Sequence, residues 1–158
     1  MGRTSYAIAL GSNRRHGRHG APERVVTAAI AEIAADAVVE AVSPILRTAA
    51  LGPAGRAFAN AVIIVSSDAA PDALLARLKA IERSFGRRAG RRWGPRVIDL
   101  DIVLWSGGTW RSPGLAIPHA EFRRRAFVLD PLARVAAGWR DPVTGLTVAQ
   151  LRARFRRG

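Results

Sequence analysis

The sequence contains no cysteine and a single lysine, Lys79. Without cysteine there is neither a disulfide framework nor a thiolate metal site, so a cytoplasmic protein is expected. The apolar runs stop well short of the roughly 20 residues needed to cross a bilayer. The first residues also lack the hydrophobic region of a signal peptide. We therefore expect neither a membrane-spanning nor a secreted protein.

A further absence concerns nucleotide chemistry. The chain has no Gly-X4-Gly-Lys-[Ser/Thr] motif, and its one lysine falls in a helical pattern. The backbone cradle that such a loop builds around phosphates is therefore missing. If the protein handles a nucleotide, it does so without a P-loop.

Positive charge, in contrast, is abundant. The formal net charge is +13 and the sequence pI is about 11.9, which points first to nucleic-acid binding. Nearly all of this charge is arginine, which a biased genomic base composition produces as readily as selection for a polyanionic partner. Two arginine clusters, within residues 87–96 and 123–125, flank the only closely spaced carboxylate pair in a strand-like run. Because guanidinium forks bind phosphate oxygens while carboxylates hold metals, this mixture favours a polyphosphate site with bound cations.

Hydrophobic periodicity predicts alternating strands and helices. The predicted strands are a first one through Tyr6, Ile8 and Leu10 that ends at Gly11-Ser12-Asn13, then Val38–Arg47, Phe58–Ser66 and Val97–Trp105. The predicted helices begin at Pro22, at Asp68 or Pro71, and around Val148, and Gly86 is placed to end the second. The order β-α-β-β-α-β indicates an α+β sandwich of ferredoxin-like type, with a mostly antiparallel sheet and helices on one face. We expect one domain over residues 1–158.

The most strand-like run carries the candidate metal site. In a strand, successive side chains point to opposite faces, so Asp99 and Asp101 share one face. The buried face is predicted to consist of Ile98, Leu100, Ile102 and Leu104. Such a pair can hold Mg²⁺ ions, which prefer a few carboxylates plus water and phosphate oxygens. The alternative is the solvated face of an amphipathic strand, but five arginines within residues 86–96 argue against it.

Several motifs, in order, resemble those of the 6-hydroxymethyl-7,8-dihydropterin pyrophosphokinases of folate biosynthesis. The resemblance spans nearly the whole chain, and its most specific part runs from Arg92-Trp93-Gly94-Pro95-Arg96 to Asp99-Leu100-Asp101. The other matching segments are residues 9–13, Arg47-Thr48 with residues 51–53, residues 58–62, residues 78–82 running to Gly86-Arg87, Ile117-Pro118-His119 and residues 125–132.

The resemblance implies transfer of the β and γ phosphates of ATP, as a unit, to a hydroxymethyl oxygen, leaving AMP. Asp99 and Asp101 are then the ligands of two Mg²⁺ ions, and Arg87 and Arg96 are the catalytic arginines. The residues implied for ATP binding are Lys79, Glu82, Arg88, Trp93, Arg96, Ile102, His119 and Arg125. Those implied for the pterin are Thr48, Ala49, Leu51, Phe58, Asn60, Trp93, Asp99 and Phe127, with Phe58 and Phe127 as the stacking pair. Trp93 is expected to close over the site.

Some residues depart from the family pattern. Ala49 and Ala50 replace proline, Ala59 and Ala120 replace larger side chains, and Gly114 stands where some members have arginine. We expect these changes to affect affinity more than activity.

Two other classes stay open from the sequence. An RNA-binding module agrees with the basic charge, but it gives no reason for two carboxylates on the sheet. A pseudoenzyme has only the alanine replacements in its favour. We therefore expect a monomeric enzyme of small-molecule substrates that binds neither nucleic acid nor membrane.

Overall fold

The structure is a computed structural model, and it describes residues 2–13, 19–48, 58–88 and 97–158. The strands are β1 (Thr4–Ser12), β2 (Val38–Val42), β3 (Leu46–Thr48), β4 (Phe58–Ser67), β5 (Asp99–Trp105), β6 (Trp110–Ser112) and β7 (Leu115–Ile117). The helices are α1 (Pro22–Ala34), α2 (Pro71–Arg88), α3 (Ala126–Ala136) and α4 (Val148–Arg157), and a 3-10 turn spans Phe122–Arg124. The predicted α+β sandwich on a mostly antiparallel sheet is confirmed.

The central sheet has the order β2-β4-β1-β5, and β3 pairs with β4 beyond the end of β2. All of these pairs are antiparallel. The predicted strand Val38–Arg47 is therefore two short strands. Pro44 has no amide hydrogen to donate to a ladder, and the hydroxyl of Ser43 instead accepts a hydrogen bond from the Val62 amide at 2.9 Å.

Helices cover both faces of the sheet, so the expectation of helices on one face is wrong. One core cluster packs α1 and α2 against alternate residues of β1, β4 and β5, among them Ile8, Ile63 and Leu100. The second packs α3 and α4 against the other face, through residues such as Val62 and Leu129. The apolar segment around Phe127 belongs to α3, a helix that the sequence pattern did not predict.

Two predicted boundaries differ in the structure. Helix α2 continues through Gly86 to Arg88, so Gly86 does not end it. In β5, the register changes from Ile8 opposite Ile102 to Ala7 opposite Leu104, which leaves Val103 as an extra residue. This β-bulge turns Leu104 to the face of α3, so Leu104 does not share a face with Ile98, Leu100 and Ile102.

Within the described ranges, no helix is both long and apolar enough to cross a membrane.

Candidate active site

The two predicted metal ligands lie on the floor of a pocket of about 540 Å³. Strand β5 places Asp99 opposite Gly11 and Asp101 opposite Ala9 of β1. All four of these residues line the pocket. The neighbouring Leu100 is buried on the other side of the sheet. The predicted alternation of carboxylate and apolar side chains is therefore confirmed for Ile98 to Ile102.

The cavity exists because β1 has small side chains on this face. Ala9 and Gly11 alternate with Ile8 and Leu10, whose side chains belong to the opposite core. A Cβ atom on Gly11 would lie only 2.8 Å from Oδ1 of Asn60. The amide of Asn60, itself buried, therefore lies where any larger residue at position 11 would collide with it.

Two aromatic side chains line the same pocket and stay partly exposed. Phe58 in β4 is 45% exposed and Phe127 in α3 is 41% exposed. Large exposed apolar side chains that share one concave surface are typical of a ligand site. Thr48 pairs with Phe58 across the β3–β4 ladder and also lines the pocket. The guanidinium of Arg125 lies 5.7 Å from the centre of the Phe127 ring.

Glu82 is a residue of α2 whose side chain lies against the outer edge of β5, and it does not line the pocket. Its Oε2 accepts a hydrogen bond from the Leu100 amide at 2.7 Å, and its Oε1 lies 3.3 Å from Nζ of Lys79. Burial raises the pKa of Glu82, although the Leu100 amide and the Lys79 ammonium oppose this and the Asp99 charge adds to it. Because no strand of the described residues pairs with β5 on this side, the carboxylate satisfies a backbone donor that would otherwise be buried and unpaired.

Ile102 belongs to β5, the strand of the carboxylates, and His119 lies beside that strand. The His119 amide donates to the Val103 carbonyl at 3.0 Å, directly after the cis Ile117-Pro118 bond. Its Nδ1 accepts the Glu121 amide at 3.0 Å, which leaves Nε2 to carry the proton of the neutral ring. The Ile102 side chain is buried in the core against α2.

The structure thus gathers seven predicted residues around one pocket: Thr48, Phe58, Asn60, Asp99, Asp101, Arg125 and Phe127. Lys79, Glu82, Ile102 and His119 do not line it. The predicted residues Ala49, Leu51, Trp93 and Arg96 lie outside the described residues. For Arg87 and Arg88 the description covers the backbone of α2 alone.

Sequence reasoning did not assign site roles to the end of β1. Ala9 to Asn13 line the pocket, as does Val128 of α3. The signal was the run of small residues alternating with Tyr6, Ile8 and Leu10. Because strand neighbours point to opposite faces, this alternation indicates one face left unfilled.

The carboxylate pair fits Mg²⁺ by its chemistry. In the described part of the chain, no cluster of three or more histidine, aspartate or glutamate side chains could hold a metal. A site made of two carboxylates is nevertheless what Mg²⁺ uses, since it keeps several waters and takes further oxygens from substrate phosphates. Asp99 and Asp101 are the residues that would hold it.

The fold and this site are those of a small α+β protein whose pocket places aromatic side chains beside two carboxylates, an arrangement typical of a small-molecule site. The sequence profile of the 7,8-dihydro-6-hydroxymethylpterin-pyrophosphokinase (HPPK) family matches residues 7–137. The chain belongs to this family of enzymes.

Individual relatives agree with the family profile. A 2-amino-4-hydroxy-6-hydroxymethyldihydropteridine pyrophosphokinase of Synechocystis is 40% identical over 125 residues, which are 78% of this chain and 64% of the relative. The enzyme of the same name from Pseudomonas aeruginosa is 41% identical over 137 residues, covering 85% of this chain and 82% of the relative. The chain thus spans just under two thirds of the first relative.

A solved structure agrees in fold. Wild-type HPPK-DHPS of Plasmodium falciparum superposes with a TM-score of 0.72 at 12% identity. The match covers 98% of this chain and 41% of the Plasmodium chain. At that identity the likeness concerns the fold alone, and it agrees with the observed sheet and helices.

Proposed function

We propose that this protein transfers the pyrophosphoryl group of Mg-ATP to the hydroxymethyl group of 6-hydroxymethyl-7,8-dihydropterin and releases AMP. The observation that carries the proposal is the shared pocket of Asp99, Asp101, Phe58 and Phe127. It combines a surface for a flat aromatic ring with carboxylates for a metal-bound polyphosphate. Family membership supports the same reaction.

The pterin would lie against the partly exposed rings of Phe58 and Phe127, because stacked aromatic rings are favourable in a partly desolvated site. Asn60 and Thr48 line the same cavity with an amide and a hydroxyl. These groups can donate to and accept from the nitrogen and oxygen atoms at a pterin edge. This arrangement would hold the ring and point its hydroxymethyl group to the carboxylate floor.

In the proposed step, the hydroxymethyl oxygen forms a bond to the β-phosphorus of ATP. The bond from that phosphorus to the α–β bridging oxygen breaks, its electron pair leaves with AMP, and the hydroxyl proton passes to solvent water. Bound Mg²⁺ would supply charge neutralisation of the polyphosphate. Arg125 carries a fixed positive charge at the pocket wall, where it can contact phosphate oxygens through its planar fork.

Other assignments stay predictions from the resemblance. They are the catalytic roles of Arg87 and Arg96, the lid role of Trp93, the pterin contacts of Ala49 and Leu51, and the ATP contacts of Lys79, Glu82, Arg88, Ile102 and His119. The single domain, the monomeric state, the cytoplasmic location and the absence of nucleic-acid binding likewise stay predictions.

The reaction is tested by identifying the nucleotide product. The protein is incubated with Mg-ATP and 6-hydroxymethyl-7,8-dihydropterin, and the products are separated by ion-exchange chromatography. We expect AMP and the pterin diphosphate in equal amounts. Release of ADP, or no pterin-dependent turnover, would contradict the proposal.

A further inference from the structure

An ion pair between a partly exposed arginine, Arg123, and a fully buried aspartate, Asp141, lies near the pocket without lining it. The Arg123 guanidinium donates to the Asp141 carboxylate from Nε at 2.5 Å and from Nη2 at 2.9 Å. Asp141 has no exposed surface. This bidentate geometry restricts the orientation of the two side chains as well as the distance between them, because the planar guanidinium matches both carboxylate oxygens.

Asp141 is held firmly by the segment around it. Its carboxylate accepts the Val143 amide at 3.0 Å and the Thr144 hydroxyl at 2.8 Å. Its backbone amide donates to the Leu146 carbonyl, and its carbonyl accepts the Gly145 amide. Burial by itself raises the pKa of Asp141, but these hydrogen bonds and the Arg123 charge outweigh it and lower that pKa to about 2. The carboxylate is therefore a fixed, charged anchor at any working pH.

Arg123 is two residues before Arg125 in the chain, so the backbone connects the anchored guanidinium to the pocket wall. It lies in the 3-10 turn, with its guanidinium 4.8 Å from the centre of the buried Phe122 ring. Arg125 follows the end of this turn and is the N-cap of α3, where its carbonyl accepts hydrogen bonds from the amides of Val128 and Leu129. Both Arg125 and Phe127 line the pocket.

Stability alone gives little reason for this pair. Burying the Asp141 carboxylate carries a desolvation cost, and a buried ion pair is often no more stabilising than apolar residues of similar volume. Such a pair does, however, define one geometry, since any other arrangement leaves a buried charge unpaired. The neighbouring pair of Arg124 with Glu121 is exposed and imposes no such restriction.

We propose that Arg123 and Asp141 are positioning residues that orient the 3-10 turn and thereby place Arg125 and Phe127 for substrate binding. The proposal rests on the proposed function, because the substrates are those of that reaction. Neither residue touches the substrate. Their effect passes through the backbone of residues 123–127.

The test uses Asp141→Asn, which keeps the shape of the side chain and removes its charge, and Arg123→Lys, which keeps the charge and removes the fork. We expect the KM for the pterin to rise about tenfold in each, with kcat changed much less, because a shifted Phe127 weakens binding of substrate and transition state alike.

Asp130→Asn is the matched control. Asp130 also accepts two guanidinium groups, from Arg152 and Arg156, but these join α3 to α4 at a partly exposed site.

A double variant, Arg123→Met with Asp141→Asn, separates positioning from stability. It removes both charges, so we expect its melting temperature to recover toward that of the wild type while the KM for the pterin stays raised. All assays are run well below the melting temperature of each variant, and the double variant replaces any single variant that does not fold.

The possible outcomes are distinct. A wild-type KM in a folded variant, or a KM that recovers together with the melting temperature, would overturn the positioning role while wild-type turnover upholds the proposed function. A wild-type protein without turnover would overturn both.

Discussion

The two faces of the central sheet are packed very differently. On the face of α1 and α2, large apolar side chains run along the full length of the strands, from Tyr6 and Val65 at one end to Leu10 and Ile98 at the other. On the face of α3 and α4, the apolar core includes Val62, Ile64 and Leu104 but stops before the opposite end. There Ala9, Gly11, Asn60 and the two aspartates border the pocket.

The fold thereby assigns stability to one face of the sheet and binding to the other. A filled face gains free energy from each buried side chain, whereas small and polar side chains give up that gain and leave space for a ligand. Both faces belong to the same strands, so the rigid core lies directly behind the pocket floor. Substitutions in the pocket should therefore change activity, whereas substitutions that disturb the filled face should change stability.

Removing either carboxylate should abolish most of the activity. We expect Asp99→Asn and Asp101→Asn each to lower kcat by roughly 10²- to 10³-fold, because the charge that balances a polyphosphate and its metal ions is lost. Initial rates of AMP formation measure this effect. The melting temperature should change little, because neither side chain belongs to an apolar core.

The control is Asp68→Asn, which changes an exposed carboxylate just after the end of β4 and should keep the wild-type rate. Rates close to wild type in the two pocket variants would remove the assignment.

Shortening the aromatic side chains should act on pterin binding. We expect Phe58→Ala and Phe127→Ala each to raise the KM for the pterin about tenfold, through loss of stacking area. Steady-state kinetics at saturating ATP give this constant. Phe155→Ala is the matched control, because Phe155 is similarly exposed, at 40%, but belongs to α4. Equal effects in all three variants would indicate a general loss of folding rather than of stacking.

Removing the hydrogen bond between Glu82 and the Leu100 amide should lower the stability of the protein. Glu82→Leu leaves the Leu100 amide without its acceptor, so we expect the free energy of unfolding to fall by about 1–3 kcal/mol in urea titrations. Glu82→Gln keeps an acceptor oxygen and should lose much less. If both variants unfold at the wild-type urea concentration, the hydrogen bond contributes nothing.

The Glu82→Gln variant should also change the pH dependence of stability. Burial raises the pKa of Glu82, so ionising it opposes folding. The stability linked to its proton is full below the ordinary pKa of glutamate and is lost as the pH rises through the raised pKa. The variant should therefore lose less stability than the wild type over that rise. Parallel curves for the two proteins would contradict this linkage.

The smallest expected effect is at the contact between β1 and β4. Gly11→Ala places a methyl group against Oδ1 of Asn60, so the amide must shift while the apolar face stays intact. We expect a KM for the pterin raised about threefold, with the melting temperature nearly unchanged. Asn60→Ala combined with Gly11→Ala should show no further increase over Asn60→Ala alone, since the two residues act through one contact. An additive effect would mean that Gly11 matters in another way.

Much of the fold and part of the site were accessible from local patterns. Pro22 and Val148 do begin helices, and the alternation around Asp99 is correct, because these features depend on neighbouring residues. The α3 helix escaped notice because Phe127-Val128-Leu129 is apolar throughout, and a short apolar run does not distinguish a strand from a buried helix. In addition, Pro131 argues against a helix in the sequence but lies inside α3 in the structure. For this reason, Asp130 and Arg134 did not indicate the polar face of a helix.

The family and the two-sided character of β5 follow from the order of the residues alone, since motif spacing and strand periodicity are properties of adjacent residues. The position of Phe127 in the same pocket as Phe58, the bulge at Val103 and the contact of Arg123 with Asp141 emerged from the folded chain. Each of these depends on which distant segments pack together. Such packing is set by the whole core rather than by any local pattern.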